Sequence, residues 1–190
     1  MFVLDTNVVS ELRKAKAGKA DRNVAKWADK VPAAALFVSA ITILELETGV
    51  LLVQRRDPQQ GALLRAWLDQ QVLPAFSGRV LPVDTAVAQQ CAALHVPDPR
   101  SERDALIAAT AIVHGMTVVT RNVADFAATG ALLLNPWEAA VRPASQAGAG
   151  ANAHAHRPPV APNAGHAENT PKIARRTTKS ALKTRPARGS

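Results

Sequence analysis

Among 190 residues there is a single cysteine, Cys91. One thiol rules out an intramolecular disulfide and points to a reducing compartment. The N-terminus lacks a basic segment followed by a long apolar one, so no signal peptide is expected. The longest apolar stretch, residues 33–44, is broken by Ser39 and Thr42. It falls well short of the ~20 residues a membrane-spanning helix needs. These absences predict a soluble, cytoplasmic protein with no membrane role.

Aromatic residues are missing altogether from residues 143–190, a stretch rich in Ala, Pro, Lys, Arg, Ser and Thr. Such a composition buries too little apolar surface to offset the entropy of ordering, which predicts a disordered tail. The tail carries eight Lys and Arg against one Glu, leaving fifteen basic and fourteen acidic side chains in residues 1–142. Of the overall +8, the tail therefore holds +7, and residues 1–142 form one nearly neutral folded domain. A flexible arm of this kind can add salt-dependent affinity for RNA, or can be an inert extension.

Several chemistries lack their residues. No GxGxxG or Walker A loop supports nucleotide binding through a glycine-rich turn. Cys91, His95 and His114 have no zinc-ligand spacing. Asn7 stands two positions after Asp5, where a phosphoryl-aspartate hydrolase would carry a second acid. No nucleophile elbow marks a Ser/His/Asp site.

What is present is an alternation of strand and helix signals. FVLD (2–5), LFVS (36–39), RVLPVD (79–84), TVVT (117–120) and ALLL (131–134) read as strands. Pro82 makes the third short or an edge strand, because it has no backbone donor. Helices are predicted over 7–14, 22–29, 43–54, from Pro58 with Leu63, Leu64, Trp67 and Leu68 as its apolar stripe, over 85–94 and over 102–114. Gly115 marks the last of these ends. Strands spaced by helices imply an α/β fold, a mostly parallel sheet of about five strands covered on both faces.

Five acids fall where strands give way to helices: Asp5, Glu45, Asp84, Asp104 and Asp125. Each has an ordinary reading. Asp5 and Asp84 suit N-caps, while Thr42-x-x-Glu45, Ser101-x-x-Asp104 and Asn122-x-x-Asp125 suit capping boxes. Together they suggest more, because a parallel sheet aligns its strand C-termini along one ligand-binding edge. Asp104 is the awkward one, since a helix leading into a strand is expected to start at the opposite edge. Converging carboxylates repel and raise one another's pKa unless a cation joins them. An all-oxygen set selects Mg²⁺, with Mn²⁺ able to substitute.

The runs LDTNVVSEL, TILELETG, RDALIAATAIVHGMTVVTRNVADF and LLLNPW, spanning Met1 to Trp137, resemble PIN-domain ribonucleases. The likeness is to VapC toxins and their FitB-like branch. It implies a three-layer α/β/α fold whose acids meet in one pocket, at Asp5, Glu45, Asp104 and Asp125, with Asp5 and Asp104 as metal ligands. Glu47 rivals Glu45, but Leu46 and Gly49 fit the family pattern around Glu45. Thr6, Asn7, Thr120 and Asn122 would orient the acids and Arg121 would meet an RNA phosphate. Asp84 returns to being a cap, and Glu11 is expected to form a surface ion pair. The HVPDPRSER loop departs from the pattern and leaves substrate preference open. The resemblance further implies a Mg²⁺-dependent endoribonuclease of a type II toxin–antitoxin system, a homodimer, and an antitoxin whose peptide blocks the groove. The alternatives are a non-catalytic RNA-binding module and a related metal-dependent DNA nuclease or phosphatase.

Overall fold

The computed structural model describes residues 1–138. The predicted tail, and the boundary drawn at residue 142, lie outside the described residues. In chain order the elements are β1 (Phe2–Leu4), α1 (Thr6–Arg13), α2 (Arg22–Ala28), β2 (Leu36–Ser39), α3 (Ala40–Arg56) and α4 (Pro58–Trp67). A π-helical stretch (Leu68–Val72) joins α4 to a short turn, α5 (Leu73–Ala75). Then follow β3 (Val80–Leu81), α6 (Thr85–Leu94), α7 (Glu102–Val113), β4 (Thr117–Val119), α8 (Val123–Phe126) and β5 (Leu132–Leu134).

The five strands form one parallel sheet in the order β3-β2-β1-β4-β5. Register sorts the side chains. Val3 pairs with Phe37 and Val118, and Leu4 with Val38 and Val119, so each in-register row shares a face. The Leu4 row packs on Val8 and Val9 of α1 and on Leu46 and Val50 of α3, joined by Leu68, Val72 and Phe76. The Val3 row packs on Ile107, Ala108 and Ala111 of α7 and on Phe126 of α8. Outside α7 lies α6, held through Val87 and Cys91 against Ala105 and Ala109. Each fully buried large side chain in these layers contributes about 1.5–3 kcal/mol of transfer free energy. Three layers result, as predicted.

Local departures have local causes. Pro82 ends β3 after two residues, and the strand lies at the sheet edge. Helix α3 starts at Ala40, three residues before the predicted Ile43, because the Ser39 hydroxyl accepts from the Thr42 amide at 3.0 Å. In α4 the apolar stripe is Leu64, Trp67 and Leu68, spaced as one helical face, and Leu63 turns outward at 67% exposure. Gly61 lets α4 lie close on α3, since a Cβ there would stand 2.4 Å from Gln54 Cα. No helix among the described residues is long and apolar enough to cross a membrane.

Strand order sets up the site. From β1 the chain steps outward through β2 to β3, then returns by α6 and α7 to lay β4 on the other side of β1. The order reverses between β1 and β4, so a crevice opens there at the strands' C-terminal edge. Asp5 follows β1 and Thr120 follows β4, one on each side of it.

Candidate active site at the sheet switch point

Asp5 is the hub. It is 6% exposed, at the end of a central strand, and it occupies the N-cap position of α1. One carboxylate oxygen accepts from the Thr6 amide at 2.6 Å. The other accepts from Asn7 Nδ2 and from Thr120 Oγ1, each at 2.6 Å. The Thr120 hydroxyl in turn accepts from Asn7 Nδ2 at 3.1 Å and from the Asn122 amide at 3.0 Å. Asn7 Oδ1 takes the Arg121 amide at 3.3 Å. Thr120 and Asn7, expected to orient the acids, both donate to Asp5. Thr6 and Asn7 are the first two residues of α1, and Asp5 caps it as its position suggests.

Glu45 reaches the same edge from the second turn of α3, where one carboxylate oxygen accepts a short hydrogen bond from Thr6 Oγ1. Its other oxygen lies 3.7 Å from Arg103 Nη1 at the start of α7. Asp104, the next residue, therefore belongs to this edge. The expected misplacement does not occur, for a simple reason: α7 runs antiparallel to β4, which it feeds, so its N-terminus lies at the strands' C-terminal edge.

These charges are felt. Burial pushes the Asp5 carboxyl above its ordinary 3.8, hydrogen bonds from Thr120 and the Thr6 amide pull it back, and Glu45 and Asp104 push it up again. Asp125 is exposed on α8 and is not named among the charges acting on Asp5.

Other sequence readings sort themselves. Glu47 is engaged by Arg65 through two hydrogen bonds, at 2.6 and 2.8 Å, which removes it as a rival to Glu45. Glu11 pairs with Lys14 at 2.6 Å and accepts from the Asp21 amide at 2.7 Å, tying α1 to the start of α2. Asp84 caps α6 through the Val87 amide at 2.9 Å. The three capping boxes do not form. Thr42 is already inside α3, its hydroxyl bonded to the Leu4 carbonyl at 3.1 Å. Ser101 and Asn122 make no side-chain cap bond at α7 or α8. Arg121 rests over Trp137, 5.9 Å from the ring centroid, and Asn23 Nδ2 holds the Trp137 carbonyl at 2.9 Å. Neither this platform nor the Arg103–Glu45 pair is foreseen from the sequence, where only the unusual charge of the HVPDPRSER loop hints at the second.

The donor set suits a hard divalent cation. Asp5, Glu45 and Asp104 offer only oxygen, and their mutual repulsion is what a cation would relieve. Among the described residues no three His, Cys, Asp or Glu side chains are gathered closely enough to hold a metal ion as they stand.

The model of the PIN domain matches residues 2–132, most of the chain. The chain belongs to the PIN-domain family. It is 40% identical over 145 residues to a VapC ribonuclease, Y4jK of Sinorhizobium fredii, covering 74% of this chain and all of that protein. With the toxin FitB of Neisseria gonorrhoeae it shares 36% identity over 143 residues, covering 72% of this chain and 99% of the toxin. The crystal structure of FitAcB from Neisseria gonorrhoeae superposes with a TM-score of 0.66 at 35% identity, covering 73% of this chain and 100% of that one. For this PIN domain, relatives of that kind imply a nuclease.

Proposed function

We propose that this PIN domain is a Mg²⁺-dependent endoribonuclease and the toxin of a type II toxin–antitoxin pair. The observation that carries the reading is the Asp5 carboxylate, which three hydrogen bonds aim and whose pKa burial raises first, with Glu45 and Asp104 adding to the rise. A fold gains nothing from such a conflict, whereas a metal site needs it. Asp5 and Asp104 would hold the ion, with Mn²⁺ able to replace Mg²⁺. The bound ion supplies an acidified water and neutralises charge on the phosphodiester.

This chain's own residues do the rest. Thr120, Asn7 and the Thr6 amide keep Asp5 in one orientation, and the Thr6 hydroxyl aims Glu45. Glu45 positions the water for in-line attack. Asp125, exposed on α8, completes the acidic rim. Arg121, laid on Trp137 beside the crevice, meets the RNA phosphate. A homodimer and an antitoxin whose peptide covers the acidic groove belong to the same proposal. Exposed Leu44, Leu51 and Leu52 on α3 and Leu63 on α4 support an association surface.

The test compares wild type with Asp104→Asn on structured RNA, single-stranded DNA and a small phosphomonoester, with Mg²⁺ and with EDTA. Wild type should cut RNA only with the metal, and the folded variant should lose at least about a hundredfold in rate, the scale of one missing electrostatic group in an active site. RNA cleavage by Asp104→Asn at the wild-type rate would sink the proposal. Preferential cutting of DNA would reassign the substrate.

A further inference from the structure

Gly49 stands near the middle of α3, where glycine weakens a helix. Neither its backbone nor its packing calls for glycine. Its φ is not positive, and a Cβ built on it would meet nothing within 4 Å. Gly61 is the contrast, because a Cβ there would collide with Gln54. The side chain missing at Gly49 leaves open a cavity of about 250 Å³.

Two helix stripes wall this cavity. Thr6, Ser10 and Arg13 come from α1, and Glu45, Gly49 and Val53 from α3. The stripes meet where Thr6 bonds to Glu45, so one end of the cavity reaches Glu45 of the acid set. At the other end Trp67 closes it, with the Arg13 guanidinium 5.5 Å from the ring centroid. From Thr6 to Arg13 the wall is about 10 Å of helix. That is room for one nucleotide, and short for an extended run of peptide. Among the described residues Glu45 is the only acid in the lining and it is already bonded, while Arg13 offers a cation to a phosphate.

We propose that this cavity is a base-binding subsite of the nuclease, taking the nucleobase next to the scissile phosphate. Gly49 is then a specificity-determining residue. Its missing side chain leaves space for the base, Trp67 offers an aromatic surface, and Arg13 meets the phosphate one step along the strand. The inference rests on the ribonuclease reading above.

The test uses the full chain as wild type, Gly49→Ala and Gly49→Phe. Each is given Mg²⁺ and short RNA oligonucleotides that differ in one base beside the cut site. Gly49→Ala should fold at least as well as wild type, because alanine favours the helix. Gly49→Phe should raise KM about tenfold or more, the order expected for losing one stacked base, and should flatten the base preference. Its thermal stabilisation by Mg²⁺ should match wild type. Unchanged KM and base preference in Gly49→Phe would overturn the subsite and leave the cavity to a peptide. Loss of the Mg²⁺ stabilisation would overturn it too, because the substitution would then be acting on the acids. Wild type that cuts no RNA fails the ribonuclease reading itself, whereas a cutting wild type with an indifferent Gly49→Phe fails the subsite alone.

Discussion

Asp5 is asked to be a helix cap and a buried anion at once. As a cap it accepts from an amide, and as an anion its pKa is held up by burial first and by Glu45 and Asp104 after it. Thr120 is the side chain that most offsets the rise, through its 2.6 Å bond to the carboxylate. Removing that donor in Thr120→Val should raise the Asp5 pKa further. Protonated Asp5 cannot bind a cation, so the acid limb of Mg²⁺ binding should move to higher pH. Thermal shift with Mg²⁺, followed across pH, reads this directly, and a limb that stays put or moves to lower pH would refute the role given to Thr120.

At the scale of elements, α3 carries most of what is specific. Ser39 caps it, Thr42 pins its first turn to the Leu4 carbonyl, Glu45 faces the crevice and Gly61 lets α4 lie against it. Ser39→Ala removes the cap and should cost about 1 kcal/mol of stability. Gly61→Ala forces α4 away from Gln54, and such overpacking should cost about 1–3 kcal/mol. Denaturant unfolding ranks the two. A Gly61→Ala protein as stable as wild type would mean that the helices separate freely. The capping boxes read from the sequence fail at this scale, because Thr-x-x-Glu spacing does not reveal where a helix begins. Ser39, one residue before the helix, is the better-placed acceptor and takes the role.

For the whole molecule, the strand order brings Asp5 and Thr120, 115 residues apart, to one crevice. Linkage then gives a stability prediction. Because the native Asp5 pKa is raised above its ordinary 3.8, the unfolded chain ionises this group first. Its contribution favours the fold below the unfolded value and is lost as pH rises through the raised one. The metal-free protein should therefore give up that stability between acid and neutral pH. Mg²⁺ at neutral pH should restore it, by about 2.7 kcal/mol at a hundredfold excess over Kd. Asp5→Asn and Asp104→Asn should show little of this gain in Tm. An equal Mg²⁺ response in wild type and both variants would place the metal elsewhere.

By itself the sequence determined the alternation of strands and helices, the two-sided burial of the sheet and the acids worth watching. These depend on periodicity and on neighbours a few positions apart, as in Val3 and Leu4 pointing to opposite faces. Only the tertiary structure decided which acids meet. It set Glu45 and Asp104 beside Asp5, turned Glu47 away onto Arg65 and left Asp125 exposed on α8. It also revealed that the gap at Gly49 lies in a cavity that Glu45 lines. The physical reason is the same in each case: a side chain's charge and size are local facts, but its neighbours depend on strand order and on the direction each helix runs.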